Sequence, residues 1–129
     1  VELVNQEWKV FLDTRHRSDY SIARSGWNPF ANEPTDYFEL FITGGSNNET
    51  GWSNPRFDAL YQKSLQTFDV SARHRLYHEM DEILRDESPG APLVHNSTVR
   101  LVHHAVRNWP NNVMDNRFLR DVTLVGNTP

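Results

Sequence analysis

N-Q-E-W-K-V-F-L-D-T-R-H at residues 5–16, Y-S-I-A-R-S-G-W at 20–27 and A-N-E-P-T at 31–35 form the passage on which the reading of this chain turns. It gathers Trp8, Arg15, His16, Arg24, Gly26 and Trp27 into one run of helix, strand and loop. Leu3, Val4, Trp8, Phe11 and Leu12 recur at helical spacing, which predicts a helix over 2–14. Alternation over 20–25 predicts a short strand, and Pro29 and Pro34 mark a loop over 26–34. Two arginines, a histidine and two tryptophans so close together suit gripping the carboxylate and side chains of a small zwitterionic ligand better than they suit a core.

Working outward, residues 36–42 read as a short helix capped by Thr35, and 43–51 as a polar Gly/Asn/Ser loop at the surface. The next helix has Ser53 or Asn54 as its cap and Pro55 in its first turn. Its predicted buried face is Phe57, Leu60, Tyr61, Ser64, Leu65 and Phe68. Asp69 then caps a helix over 70–87, with Ala72, Leu76, Met80, Ile83 and Leu84 as its apolar stripe and Pro89-Gly90 ending it. Two helices joined so tightly are expected to pack antiparallel. Beyond Gly90 the texture changes to short β-rich runs at 91–94, 99–102 and 122–125. The fold class is α/β, with residues 1–88 able to form a small core and 90–129 belonging partly to another layer.

Composition bounds the function. The 129 residues suit one compact unit, with a net charge of −4 and no cysteine. No apolar run approaches the ~18 residues of a membrane helix. Without a basic stripe, a nucleic-acid surface is not expected. The absence of cysteine removes disulfides, thiolate nucleophiles and Cys-ligated zinc without fixing the compartment. Val1 opens inside an amphipathic pattern with neither an initiator Met nor an apolar signal core, so the chain is expected to be cut from something longer.

The blocks already quoted, together with S-N-P-x-F-D at 53–58 and the P-L…L-V pair at 92–102, resemble the oligopeptide- and dipeptide-binding solute-binding proteins that feed ABC importers. The similarity covers essentially all of the chain and corresponds to the C-terminal quarter of that family. It implies part of a two-lobed clamshell, residues 1–89 contributing to the second lobe and 90–129 returning through the hinge to the first. It implies capture of short peptides or a peptide-like solute and delivery to a membrane permease, outside the inner membrane, with neither catalysis nor cofactor. By resemblance Arg24 meets the ligand carboxylate, Arg15 and His16 serve ligands of other lengths, Trp8 and Trp27 line the pocket, and the backbone around Gly26 and Asn28 is the edge along which an extended peptide lies. One departure stands out: Phe30 occupies the place of the family's ammonium-binding aspartate. Glu33 or Asp36 takes over, or the ligand lacks a free amine, or Phe30 closes an apolar pocket.

Each residue also has a plainer reading. Trp8 shares a helix face with Leu12 and alone reads as core. Arg24 alone reads equally well as a surface partner of Asp13 or Asp19, and Arg17 as a cation at a helix C-terminus. His74 and His78 lie one turn apart beside Glu79 but lack the H-E-x-x-H pattern and a third ligand. A metal-dependent hydrolase built on them is the runner-up function. His103 and His104, adjacent on a strand, are expected to point opposite ways. A free-standing interaction module using exposed β edges is a third reading. For the isolated chain, a swapped dimer or a mobile tail with weak ligand affinity is expected.

Overall fold

The computed structural model describes residues 2–95, 97–111 and 117–126, so the reading of the start at Val1 lies outside the described residues. The chain runs α1 (Trp8–His16), α2 (Thr35–Phe38), a 3-10 turn (Glu39–Phe41), α3 (Pro55–Leu65), α4 (Val70–Glu87), β1 (Val106–Arg107), a second 3-10 turn (Leu119–Asp121) and β2 (Thr123–Leu124). Helix and sheet are mixed, with most of the ordered mass in α3 and α4.

Both long helices begin where their caps dictate. The Asn54 side chain accepts from the N–H groups of Arg56 (2.9 Å) and Phe57 (3.1 Å), and Pro55, which has no N–H to satisfy, opens α3. The Asp69 carboxylate accepts from Ala72 N–H at 2.7 Å, and α4 stops at Ser88, whose φ of 48° turns the chain left-handed. Asn54, at the start of α3, donates to Glu87 at the end of α4, 2.7 Å away, so the two helices run antiparallel. Their shared face, with α2, buries Phe38, Phe57, Tyr77 and Met80 against Phe41, Trp52, Leu60, Tyr61, Ile83 and Leu84. The rings meet edge to face, Trp52 on Phe57 at 5.3 Å and Phe38 on Phe57 at 6.0 Å, as the ring quadrupoles favour.

Several expectations need correction. The first helix starts at Trp8 rather than residue 2, because the Glu7 carboxylate accepts from Lys9 and Val10 N–H and so fixes the N-terminus there. Thr35 lies inside α2 and does not cap it; Pro34, with φ of −58°, already has a helical φ one residue earlier. The helix over 36–42 divides into α2 and the 3-10 turn. Leu65 and Phe68 are exposed, since α3 ends at Leu65 and no longer carries Phe68 round to the core. Tyr77, absent from the expected stripe, is buried.

The strand expected over 20–25 does not form, nor do those over 91–94 and 99–102. A strand exists only where a neighbour completes its ladder, and among the described residues no neighbour does so. Among the described residues the one ladder is β1 with β2, antiparallel, pairing Val106 with Leu124 and Arg107 with Thr123, so the run expected at 122–125 holds β2. His103 and His104 do not diverge: in a turn rather than a strand, their rings lie 4.2 Å apart. Nothing among the described residues supports the swapped dimer.

Candidate functional site

On α1, Trp8, Phe11 and Arg15 follow one face at intervals of three and four residues. The Trp8 and Phe11 rings are 5.9 Å apart, and the Arg15 guanidinium lies 5.5 Å above Phe11. Trp8 remains 66% exposed, which rules out the core reading within this chain. At the end of α1, Ser18 (φ 52°) turns the chain back. Arg15 then donates to the Ser25 hydroxyl at 3.0 Å, which brings the C-terminus of the helix beside the 24–27 backbone.

Arg15 is also committed elsewhere: it forms an ion pair with Glu49 from the 43–51 loop. The Tyr20 hydroxyl (2.6 Å) and the Ser18 hydroxyl (3.1 Å) both donate to the Glu49 carbonyl. Sequence reasoning passed over Glu49, because an acid in a polar loop carries no local sign of a partner 34 residues away.

Arg24 is exposed and makes no hydrogen bond or ion pair among the described residues. Its expected partners do not take it: Asp13 pairs with Arg17 at 3.0 Å along α1. Trp27 is half-buried, and its indole N–H is buried without a hydrogen-bond partner among the described residues. A Cβ added at Gly26 would meet no other group within 4 Å among the described residues. Asn28 is exposed, as is His16, and Phe30 is 86% exposed. No backbone-to-backbone hydrogen bond involves any residue from 20 to 30 among the described residues.

The loop that follows is tied down. The Asp36 carboxylate accepts from Ala31 N–H at 2.6 Å, while Glu33 takes the Arg73 guanidinium at 3.1 Å and the Tyr77 hydroxyl at 3.2 Å. Both acids named as replacements for an ammonium anchor are therefore already engaged. Arg73 and Tyr77, one turn apart on α4, are positioning residues that the sequence reading did not single out.

A cavity of about 350 Å³ lined by Leu101, Val102, His103, Val106 and Trp109, among others, shares no residue with this region. No group of three or more His, Asp or Glu side chains able to hold a metal occurs among the described residues. His74 and His78 are exposed on α4, and His74 faces the Tyr77 ring at 6.0 Å.

Comparison with known proteins places the chain as a whole. No protein-family model matches the chain. It is 34% identical to the periplasmic oligopeptide-binding protein OppA of Escherichia coli over 126 residues, 97% of this chain and 23% of that protein. Identity with the oligopeptide-binding protein OppA of Bacillus subtilis is 43% over 94 residues, 72% of this chain and 17% of that protein. The fold superposes on the murein tripeptide binding protein MppA of Escherichia coli with a TM-score of 0.87 at 28% identity, covering 97% of this chain and 25% of that one. Against Haemophilus influenzae OppA in complex with RPPGFSPFR the TM-score is 0.85 at 29% identity, with the same coverage of 97% and 25%. The fold is thus that of part of a two-lobed α/β solute-binding protein. The chain belongs to the family of periplasmic oligopeptide- and dipeptide-binding proteins, and it spans about a quarter of the length of the relatives it matches.

Proposed function

We propose that residues 8–36 form one wall of a peptide-capture site, in a periplasmic protein that hands short peptides or a peptide-like solute to an ABC import permease. The observation that carries this reading is the run 20–30, whose backbone makes no backbone hydrogen bond among the described residues and whose exposed Arg24 guanidinium has no partner among them. An extended peptide adds to such an edge through main-chain hydrogen bonds, gaining affinity that does not depend on its side chains. Arg24 supplies a planar donor fork for a carboxylate. Trp27 and Trp8 offer aromatic surface, and the open side of Gly26 lets a ligand backbone approach. Arg15 and His16 flank the carboxylate end, and Asn28 and Phe30 continue the edge.

In this reading residues 1–89 belong to the second lobe of a clamshell and 90–129 return through its hinge. Closure excludes water, and the tighter grip of the closed form shifts the population toward it. The protein acts by binding and release, as the relatives named above are binding proteins. A hydrolase built on His74 and His78 is not favoured.

The test is calorimetric titration of trialanine and of its C-terminal amide into the complete natural polypeptide that contains these residues, with and without Arg24→Gln. Amidation and the substitution are each expected to cost about 2 kcal/mol, and not to add, since both remove the same charge-assisted bond. Equal affinity for acid and amide would overturn the assignment of Arg24.

A further inference from the structure

Arg15 is not an open receptor. Its Nη2 reaches both the Glu49 carboxylate and the Ser25 hydroxyl, and the two charged side chains are only 17% and 23% exposed. Residue 49 is itself fixed through its main chain, because Tyr20 and Ser18 both donate to its carbonyl. The carboxylate is therefore delivered by a clamped backbone rather than by a free side chain. Arg24, close by in sequence, has no such partner among the described residues.

We propose that Glu49 is a specificity-determining residue: a built-in carboxylate that occupies Arg15 and leaves Arg24 as the guanidinium open to a ligand carboxylate. The inference rests on the peptide-capture reading. A ligand carboxylate arriving at Arg15 must displace Glu49, exchanging one charge-assisted pair for an equivalent one. It would also leave a largely covered acid without a cation, which is unfavourable. At Arg24 nothing has to be displaced. Ligands are thus sorted by reach: those whose carboxylate arrives at Arg24 are held, and those ending at Arg15 are disfavoured.

Glu49→Gln removes the charge while keeping the backbone carbonyl that Tyr20 and Ser18 need, so it separates the counter-ion role from the structural one. The experiment is phenylglyoxal labelling of the complete natural polypeptide that contains these residues, without ligand, read by peptide mass mapping. Arg24 is expected to label about fivefold faster than Arg15, the factor an ion pair near the top of the surface range implies. In Glu49→Gln the Arg15 rate rises severalfold toward that of Arg24 without reaching it, because Phe11 and Ser25 still cover the guanidinium. Raising NaCl to about 1 M in the unaltered chain is expected to speed Arg15 by less than the variant does, since a partly covered pair is screened less than an exposed one, and to leave Arg24 unchanged; this series decides the matter if the variant does not fold. Equal rates in the unaltered chain, or an unmoved Arg15 rate in a Glu49→Gln chain with native circular dichroism, would overturn the proposal. Labelling needs no peptide, so a failure of the trialanine titration would remove the capture reading and leave the Glu49–Arg15 result standing.

Discussion

The Tyr77 hydroxyl donates to Oε1 of Glu33 across 3.2 Å, joining the middle of α4 to the turn that follows the proposed ligand edge. Arg73 reaches the same oxygen at 3.1 Å. Glu33 is thus held by two residues on one face of α4, and the loop over 26–34 inherits the position of the helix pair.

Tyr77→Phe keeps the ring in the core and removes the hydroxyl that makes this hydrogen bond and also meets the Thr35 side chain. The variant is expected to lose about 1 kcal/mol of stability, which lowers the thermal midpoint by about 4 °C. Circular dichroism at 222 nm measures it; an unchanged midpoint would show that the bond contributes nothing net.

Alkaline pH tests the same pair. Burial raises the Tyr77 hydroxyl above its ordinary value of 10.0, and the neighbouring Glu33 carboxylate adds to the rise. Burial, then Glu39, does the same to Tyr61. A proton held more tightly in the folded than in the unfolded state contributes stability that is fully present below the unfolded value and lost as pH climbs through the folded one. These tyrosines should leave stability unaffected up to about pH 9 and lower it above about pH 10, and the decline should be shallower in Tyr77→Phe. Parallel curves for the two proteins would contradict the burial of that hydroxyl.

Asn54 does two jobs, capping α3 and donating to Glu87 at 2.7 Å. Asn54→Ala is therefore expected to cost about 2 kcal/mol, more than an ordinary cap, as it also deprives an acceptor at the end of α4. Urea denaturation measures the change. A loss under about 0.5 kcal/mol would mean that the Glu87 contact is replaced by water at no cost.

What could be read from the sequence divides by range. Asn54 and Asp69 fix helix starts through bonds to residues two or three positions on, so the start of α4 was legible to the residue and that of α3 to within one, its cap lying between Ser53 and Asn54. The core followed from their period, apart from Tyr77, which it missed, and Leu65 and Phe68, which it placed inside and which are exposed. The run 20–25 has the alternation of a strand, but alternation states only which faces differ, not whether a neighbour is there to pair. The residues expected at the site were legible as residue types; their partners were not. Glu49 lies 34 positions from Arg15 and Tyr77 44 from Glu33, and no local pattern announces a contact at such range.

The last prediction concerns the ligand's other end. Glu33 is neutralised by Arg73, Asp36 is spent on Ala31 N–H, Asp13 pairs with Arg17, and Phe30 projects 86% exposed from the same loop. An ammonium brought to this wall finds none of these acids uncommitted, and burying it unpaired would be costly. Acetylating the amine of trialanine is therefore expected to change its affinity for the complete natural polypeptide by less than about threefold. Phe30→Asp supplies an exposed acid at the loop and should restore a preference for the free amine of about tenfold, the gain expected of one charge-assisted bond. Calorimetry with both peptides on both proteins gives the four affinities needed. If acetylation already cost tenfold in the unaltered protein, an acid elsewhere would have to take the ammonium; Asp19, exposed in the turn that leads into the ligand edge, is the first to substitute, and Asp19→Asn should then abolish the difference.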